Sequence, residues 1–186
     1  MTKRNHKKVH KKTIEEKYQS CPKAHFLRRL GAYLYDLFAV LAVLMLAGIF
    51  AILVVIIGQN MGLINLEAYQ DIADFLASSG LFAFYLAIVV IGFYAYFWTR
   101  AGQTIGMKAW HLRVQNSDGG NISFTQSLIR MATSAFGLGN LMALFGNRSA
   151  FQDSWAECEV VVLPKELSNW KGFKDMAFMD EDEDKK

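Results

Sequence analysis

Two long apolar segments dominate the pattern of hydrophobic and polar positions. Leu37 to Gly58 is 22 residues long and Leu81 to Trp98 is 18, and neither contains a charged residue. A helix needs about 20 residues to cross the hydrocarbon core of a bilayer. Two buried helices of a soluble bundle are the alternative, but such helices normally keep a polar stripe. The pattern therefore predicts two transmembrane helices.

Charge on either side of the first segment sets its orientation. Residues 1–29 contain ten Lys and Arg, whereas the loop from Gln59 to Gly80 contains none. Because basic residues accumulate on the cytosolic side, we expect a cytosolic amino terminus and an external loop. Glu67, Asp71 and Asp74 lie in that loop at i, i+4 and i+7, so a helix there would carry them on one face.

Two short β-branched segments follow the second span. Trp110 to Gln115 and Glu159 to Leu163 read as strands. The apolar segment Phe124 to Phe145 between them is interrupted by Arg130, and its uninterrupted part is 15 residues, short of a span. If the strands pair, a third full crossing would separate them, so a re-entrant or interfacial segment is favoured over a third membrane helix.

These elements predict an all-α membrane protein with a small cytosolic two-stranded β element. The chain divides into a basic cytosolic arm at 1–23, a membrane domain at 24–164 and an acidic disordered tail at 165–186. Cys21 and Cys158 are widely spaced and both are predicted to face the reducing side, so neither a disulfide nor a metal site is expected.

The candidate chemistry lies at the cytosolic end of the first span. Asp36 stands at the entrance of the longest apolar run, where an unpartnered carboxylate is unfavourable. Arg29 is seven residues earlier, which places it about 20° from Asp36 around a helix and about 10 Å along it, whereas Arg28 is rotated by about 80°. Tyr33 lies between them and could bridge. Other candidate partners are Gln103, Thr104, Arg130, Asn140 and Arg148.

Three motifs resemble the RDD family of small bacterial membrane proteins. They are RRLGAYLYD from Arg28, GQTIGMKAWHLRVQNSDGG from Gly102 and FQDSWAECEVVV from Phe151. The resemblance implies that Arg29, Asp36 and Asp153 are the arginine and two aspartates of the family name. Gln152 and Ser154 onward depart from the family, which often has His before the second aspartate and Arg-Leu-Ala-Gly-Thr after it. The resemblance also implies a bacterial cytoplasmic membrane and suggests transport, including cation–proton antiport for some members.

Two functions follow as hypotheses. The first is a carrier of a small ligand or cation, coupled to protons, which would have to be an oligomer because two spans cannot enclose a pathway. The second is a non-catalytic membrane scaffold or assembly partner whose Arg/Asp network is structural. The lipid bilayer and further copies of the chain are the expected partners. No motif indicates an enzyme, a cofactor, a metal or nucleic-acid binding.

Overall fold

A computed structural model describes residues 15–134, 150–165 and 167–168. The chain divides into two compact units, one formed by residues 1–36 with 94–186 and the other by residues 37–93. The elements in chain order are α1 (Phe26–Asn60), α2 (Ile72–Ser78), α3 (Gly80–Arg100), α4 (Ile105–Ala109), β1 (Leu112–Gln115), α5 (Phe124–Thr133), α6 (Phe151–Trp155) and β2 (Glu159–Val162).

Helices α1 and α3 are long and apolar enough to cross a membrane. They contain 35 and 21 residues, against the roughly 20 that a bilayer requires. Within their most apolar 18-residue windows only 11% and 6% of the residues are buried. Apolar side chains that are not buried inside the protein need an apolar surrounding, and a lipid bilayer supplies one. The prediction of two candidate spans is confirmed.

Acidic residues of the loop between the spans make hydrogen bonds within the loop itself. Asp71 is the extended N-cap of α2 and accepts a hydrogen bond from the Asp74 N–H at 2.8 Å. Glu67 lies in a turn before the helix, where its N–H donates to Asn65 Oδ1 at 2.8 Å. The expectation of three acids on one helix face is therefore wrong, because the helix begins only after Asp71.

The two predicted strands pair, as expected. Strands β1 and β2 form an antiparallel ladder with Leu112 opposite Val162 and Gln115 opposite Glu159. The first strand begins two residues later than predicted because Trp110 is the C-cap of α4 and His111 has a φ of 55°, which interrupts extended backbone. Every residue of β1 is buried.

Part of the predicted basic arm packs on this sheet. Residues 15–19 form a helical turn, and Lys23 makes an isolated antiparallel bridge with Val161. The Tyr18 ring is buried and lies 4.1 Å from the Arg113 guanidinium carbon. The rest of the arm, residues 1–14, and nearly all of the predicted tail lie outside the described residues.

The same unit contains a core around which the candidate site is built. Its buried members come from α1, the end of α3, α4, both strands and the loops just before α1 and α5: Ala24, Ala32, Trp98, Met107, Leu112, Val114, Ile122 and Val160. Helix α5 covers the first ten residues of the predicted segment Phe124 to Phe145, and Ser123 and Gln126 close its N-terminus as a capping box. Residues 135–149 lie outside the described part, so the remainder of that segment stays a prediction.

Candidate functional site

Asp153 is the centre of a buried ionic cluster, the triad of Arg29, Arg130 and Asp153. One carboxylate oxygen accepts from Arg29 Nη1 at 2.5 Å, and the other accepts from Arg130 Nη1. The Ala150 N–H adds a third donor at 3.2 Å. The exposed fractions of Arg29, Arg130 and Asp153 are 5%, 6% and 1%. Removing one partner of a buried ion pair is strongly destabilising, because it leaves an uncompensated charge in the interior.

Three separate helices bring the triad together. Arg29 projects from the first turn of α1, where its Nε also donates to the Ala24 carbonyl at 3.1 Å. Arg130 comes from the last turn of α5 and lies over the Trp98 ring, 5.1 Å from its centroid. Asp153 lies in the first turn of α6, near the helix N-terminus, where a negative charge is favourable. The carboxylate therefore joins the start of a candidate span to two short helices far along the chain.

Electrostatics favour the ionised form of Asp153. Burial raises the pKa of this carboxyl, but the charges of Arg130 and then Arg29 outweigh burial and hold the pKa below its usual range. Burial likewise lowers the pKa of Arg130, but Asp153 more than compensates, so that pKa lies above its usual value. Two arginines and one aspartate leave the triad with one excess positive charge.

Cys158 adds a thiol to the edge of the triad. Its sulfur accepts from Arg130 Nη1 at 3.3 Å. Burial raises the pKa of this thiol despite the nearby guanidinium groups. A thiol kept protonated in this way is a poor nucleophile, which does not favour covalent chemistry at Cys158.

Asp36 lies in a second polar contact that is separate from the triad. Its Oδ2 accepts from the Thr104 hydroxyl at 2.5 Å, and its Oδ1 accepts from the Gly106 N–H at 2.8 Å. Thr104 is the N-cap of α4 and accepts from the Met107 N–H at 3.2 Å. Asp36 thus caps the start of α4 together with Thr104. Among the salt bridges within the described residues, none involves Asp36.

Gly106 is required for this contact by its lack of a side chain. A Cβ atom at this position would approach the Ala32 carbonyl oxygen and would lie 2.9 Å from both the Cγ and the backbone N of Asp36. Close approach of the α4 backbone to α1 therefore depends on glycine.

The sequence candidates divide between the two contacts. Thr104 binds Asp36, whereas Arg130 binds Asp153. Gln103 donates to the Leu112 carbonyl at 2.6 Å, and Tyr33 is half-buried on α1. Asn140 and Arg148 lie outside the described residues.

Gly106 and Cys158 were not among the sequence candidates for the network. Gly106 acts through its backbone N–H, so no side chain signals its role. Within the described part of the chain, no group of three or more His, Cys, Asp or Glu is placed to hold a metal ion.

The sequence model of the RDD family matches residues 23–157. The chain belongs to the RDD family. The match includes both candidate spans and the positions of Arg29, Asp36 and Asp153, and it confirms the resemblance to this family. No curated protein and no solved structure matches the chain.

Family membership and the two apolar helices together support a membrane location for this RDD protein. The three residues that the resemblance assigns to the family name do not form one mutual cluster. Arg29 and Asp153 share the triad, while Asp36 binds Thr104 and Gly106. Gln152, which stands where the family often has His, is buried in α6 beside Asp153 with an exposed fraction of 3%.

Proposed function

We propose that this RDD protein is a non-catalytic membrane scaffold whose Arg/Asp network is structural. The observation that carries the proposal is that all four oxygens of the two aspartates accept hydrogen bonds from the chain itself. Asp153 takes its bonds from Arg29, Arg130 and the Ala150 N–H. Asp36 takes its bonds from Thr104 and the Gly106 N–H. A buried network whose oxygens all accept hydrogen bonds from the chain can hold its segments in place without a ligand.

The network joins segments that lie far apart in the sequence. Asp36 attaches α4 to α1, and Asp153 attaches α5 and α6 to α1. A two-stranded sheet is marginal in water, so the sheet depends on this support from the adjacent helices. The proposed scaffold therefore presents a small sheet-containing unit, and other copies of the chain in the bilayer are its proposed partners.

The charge distribution supports a bacterial cytoplasmic membrane with that unit in the cytosol. Ten basic residues precede the first span and the loop after it has none. The pairing of β1 with β2 supports a segment at 124–145 that enters or lies on the membrane without crossing it, because both strands must be on the same side.

One observation favours a second candidate function, proton-coupled cation carriage by an oligomer. Asp36 is 4% exposed on a candidate spanning helix, and its hydrogen-bond donors, the Thr104 hydroxyl and the Gly106 N–H, are both uncharged. A carboxylate in such a setting can exchange a proton more readily than one paired with arginine. Two spans enclose no pathway, so this function requires several copies of the chain.

The substitution Asp36→Asn distinguishes the two functions. The amide oxygen of Asn can accept from the Gly106 N–H, and its amide nitrogen can donate to Thr104 Oγ, so the contact survives without a proton to release. Asp118→Asn is the matched control, since Asp118 is exposed in a turn and accepts only from the Gly120 N–H among its described bonds.

Purified wild-type, Asp36→Asn and Asp118→Asn proteins in liposomes would be assayed for cation uptake driven by a pH gradient. We expect no uptake above protein-free liposomes for any of the three, and similar unfolding midpoints for all. Uptake by wild type and Asp118→Asn that is lost in folded Asp36→Asn would establish the carrier. Uptake that is equal in all three would contradict both the scaffold and Asp36 as the carrier site.

A further inference from the structure

Helix α5 buries two of its polar side chains and exposes three of its apolar side chains. Ser127 and Arg130 are 1% and 6% exposed, whereas Phe124 is 59% exposed and Leu128 and Ile129 are each 37% exposed. A helix on the surface of a water-soluble protein has the opposite arrangement, with its apolar stripe toward the core.

Helix α6 has the same inverted arrangement. Gln152 and Asp153 are buried, whereas Phe151 and Trp155 are 37% and 62% exposed. The two exposed rings are neighbours, with centroids 5.7 Å apart. Aromatic residues of this kind are enriched where a membrane meets water.

We call the exposed apolar side chains of α5 and α6 together the outer face: Phe124, Leu128, Ile129, Phe151 and Trp155. The two helices contact each other. None of these five residues is charged, and the exposed positions between them, Thr125 and Ser154, are also uncharged. Apolar side chains that are exposed together on a protein surface mark an interaction site with a partner or a membrane.

The first turns of the candidate span α1 also expose apolar side chains and bury charged ones. There, Leu27 is 72% and Leu34 is 48% exposed, while Arg29 and Asp36 are buried. The triad ties α5 and α6 directly to this part of α1 through Arg29 and Asp153. The same inside-out arrangement therefore extends from a helix suited to lipid onto two short helices that cannot span a bilayer.

We propose that the outer face inserts into the lipid interface, with its rings and aliphatic side chains among the upper acyl chains. Helices α5 and α6 then lie along the membrane, and the ionic triad is enclosed between them and the start of α1. The partner is the bilayer itself. This proposal is independent of whether the network is a scaffold or a carrier site, because it depends only on the exposure of the five side chains and on the membrane location of the family.

Spin-label accessibility can test the position of the outer face. Cys21→Ser and Cys158→Ser remove the native thiols, and single cysteines are then introduced by Leu128→Cys, Thr125→Cys or Ser154→Cys. The last two replace exposed polar residues and leave the five apolar side chains intact. Asp118→Cys, in an exposed turn, is the aqueous control.

Each labelled protein in liposomes would be exposed to molecular oxygen, which partitions into lipid, and to a polar nickel chelate, which stays in water. At positions 125, 128 and 154 we expect a higher ratio of oxygen to nickel collisions than at 118. A ratio equal to that at 118 would place the outer face in water and overturn the proposal. Low collision rates with both reagents would show the face covered by protein, such as a second copy, and would also overturn it.

Discussion

Arg29 donates to Asp153 at 2.5 Å although the two residues are 124 positions apart in the chain. The bond joins the first turn of a candidate span to a five-residue helix that follows it by most of the length of the protein. Closing so long a loop costs conformational entropy, which contacts made on closure must offset. The other carboxylate oxygen of Asp153 accepts a hydrogen bond from Arg130, which lies much nearer in the sequence.

Arg29 and Arg28 should respond very differently to the same substitution. Arg29→Met removes the bond to Asp153 and the bond to the Ala24 carbonyl, and it should lower the free energy of unfolding by about 1.5–3 kcal/mol, typical for hydrogen bonds to charged groups. The loss is limited because Asp153 keeps Arg130. Arg28→Met, at an exposed position of the same helix, should leave it unchanged. Denaturant unfolding in detergent micelles measures both, and equal effects would contradict the burial-dependent role of Arg29.

Gly106→Ala should disrupt the contact between α4 and α1. The added methyl group would meet the Ala32 carbonyl and the Asp36 side chain. Overpacking of this kind costs about 1–3 kcal/mol. Gly92→Ala is the matched control, because a Cβ there has no atom within 4 Å. Thermal unfolding should show a lower midpoint for Gly106→Ala alone, and an unchanged midpoint would mean that Asp36 does not hold α4 closely.

Acid should destabilise the protein through Asp153. The folded pKa of Asp153 lies below its usual range, because Arg130 and Arg29 outweigh the effect of burial. The stabilisation is therefore fully present above the usual aspartate pKa of about 3.9 and is lost as pH falls through that value toward the lower folded pKa. Arg29→Met should weaken the depression, so the stability that it loses in acid should be smaller than in wild type, and the loss should be complete at a higher pH. Unfolding free energies measured from pH 7 to pH 2 would show the smaller loss, and equal losses in the two proteins would contradict it.

The spans and the choice of Arg29 over Arg28 were accessible from the sequence for simple geometric reasons. Uninterrupted apolar length identifies a span, and 100° per residue places Arg29 on the face of Asp36. In the structure Arg29 is buried and Arg28 is exposed. The axial separation of about 10 Å also argued against a direct Arg29–Asp36 bond, and the two residues have different partners.

The division of the network into two contacts was not accessible from the sequence. Thr104 and Arg130 were both candidate partners, but only the three-dimensional arrangement assigns Thr104 to Asp36 and Arg130 to Asp153. Gly106 contributes a backbone N–H, which every residue except proline carries, so its role left no signature in the side-chain pattern. The outer face could not be predicted either, because the order of polar and apolar residues in α5 does not show which side of the helix faces the protein.

The most direct test of the structural role of the network is the free energy of unfolding of Asp153→Asn beside Asp118→Asn. Removing the charge of Asp153 leaves Arg29 and Arg130 buried without their common counter-ion, and breaking a buried ion pair costs about 3–5 kcal/mol. We predict that Asp153→Asn loses more stability than Arg29→Met, and that Asp118→Asn stays at the wild-type value. Wild-type stability in Asp153→Asn would contradict the conclusion that the triad holds the fold together.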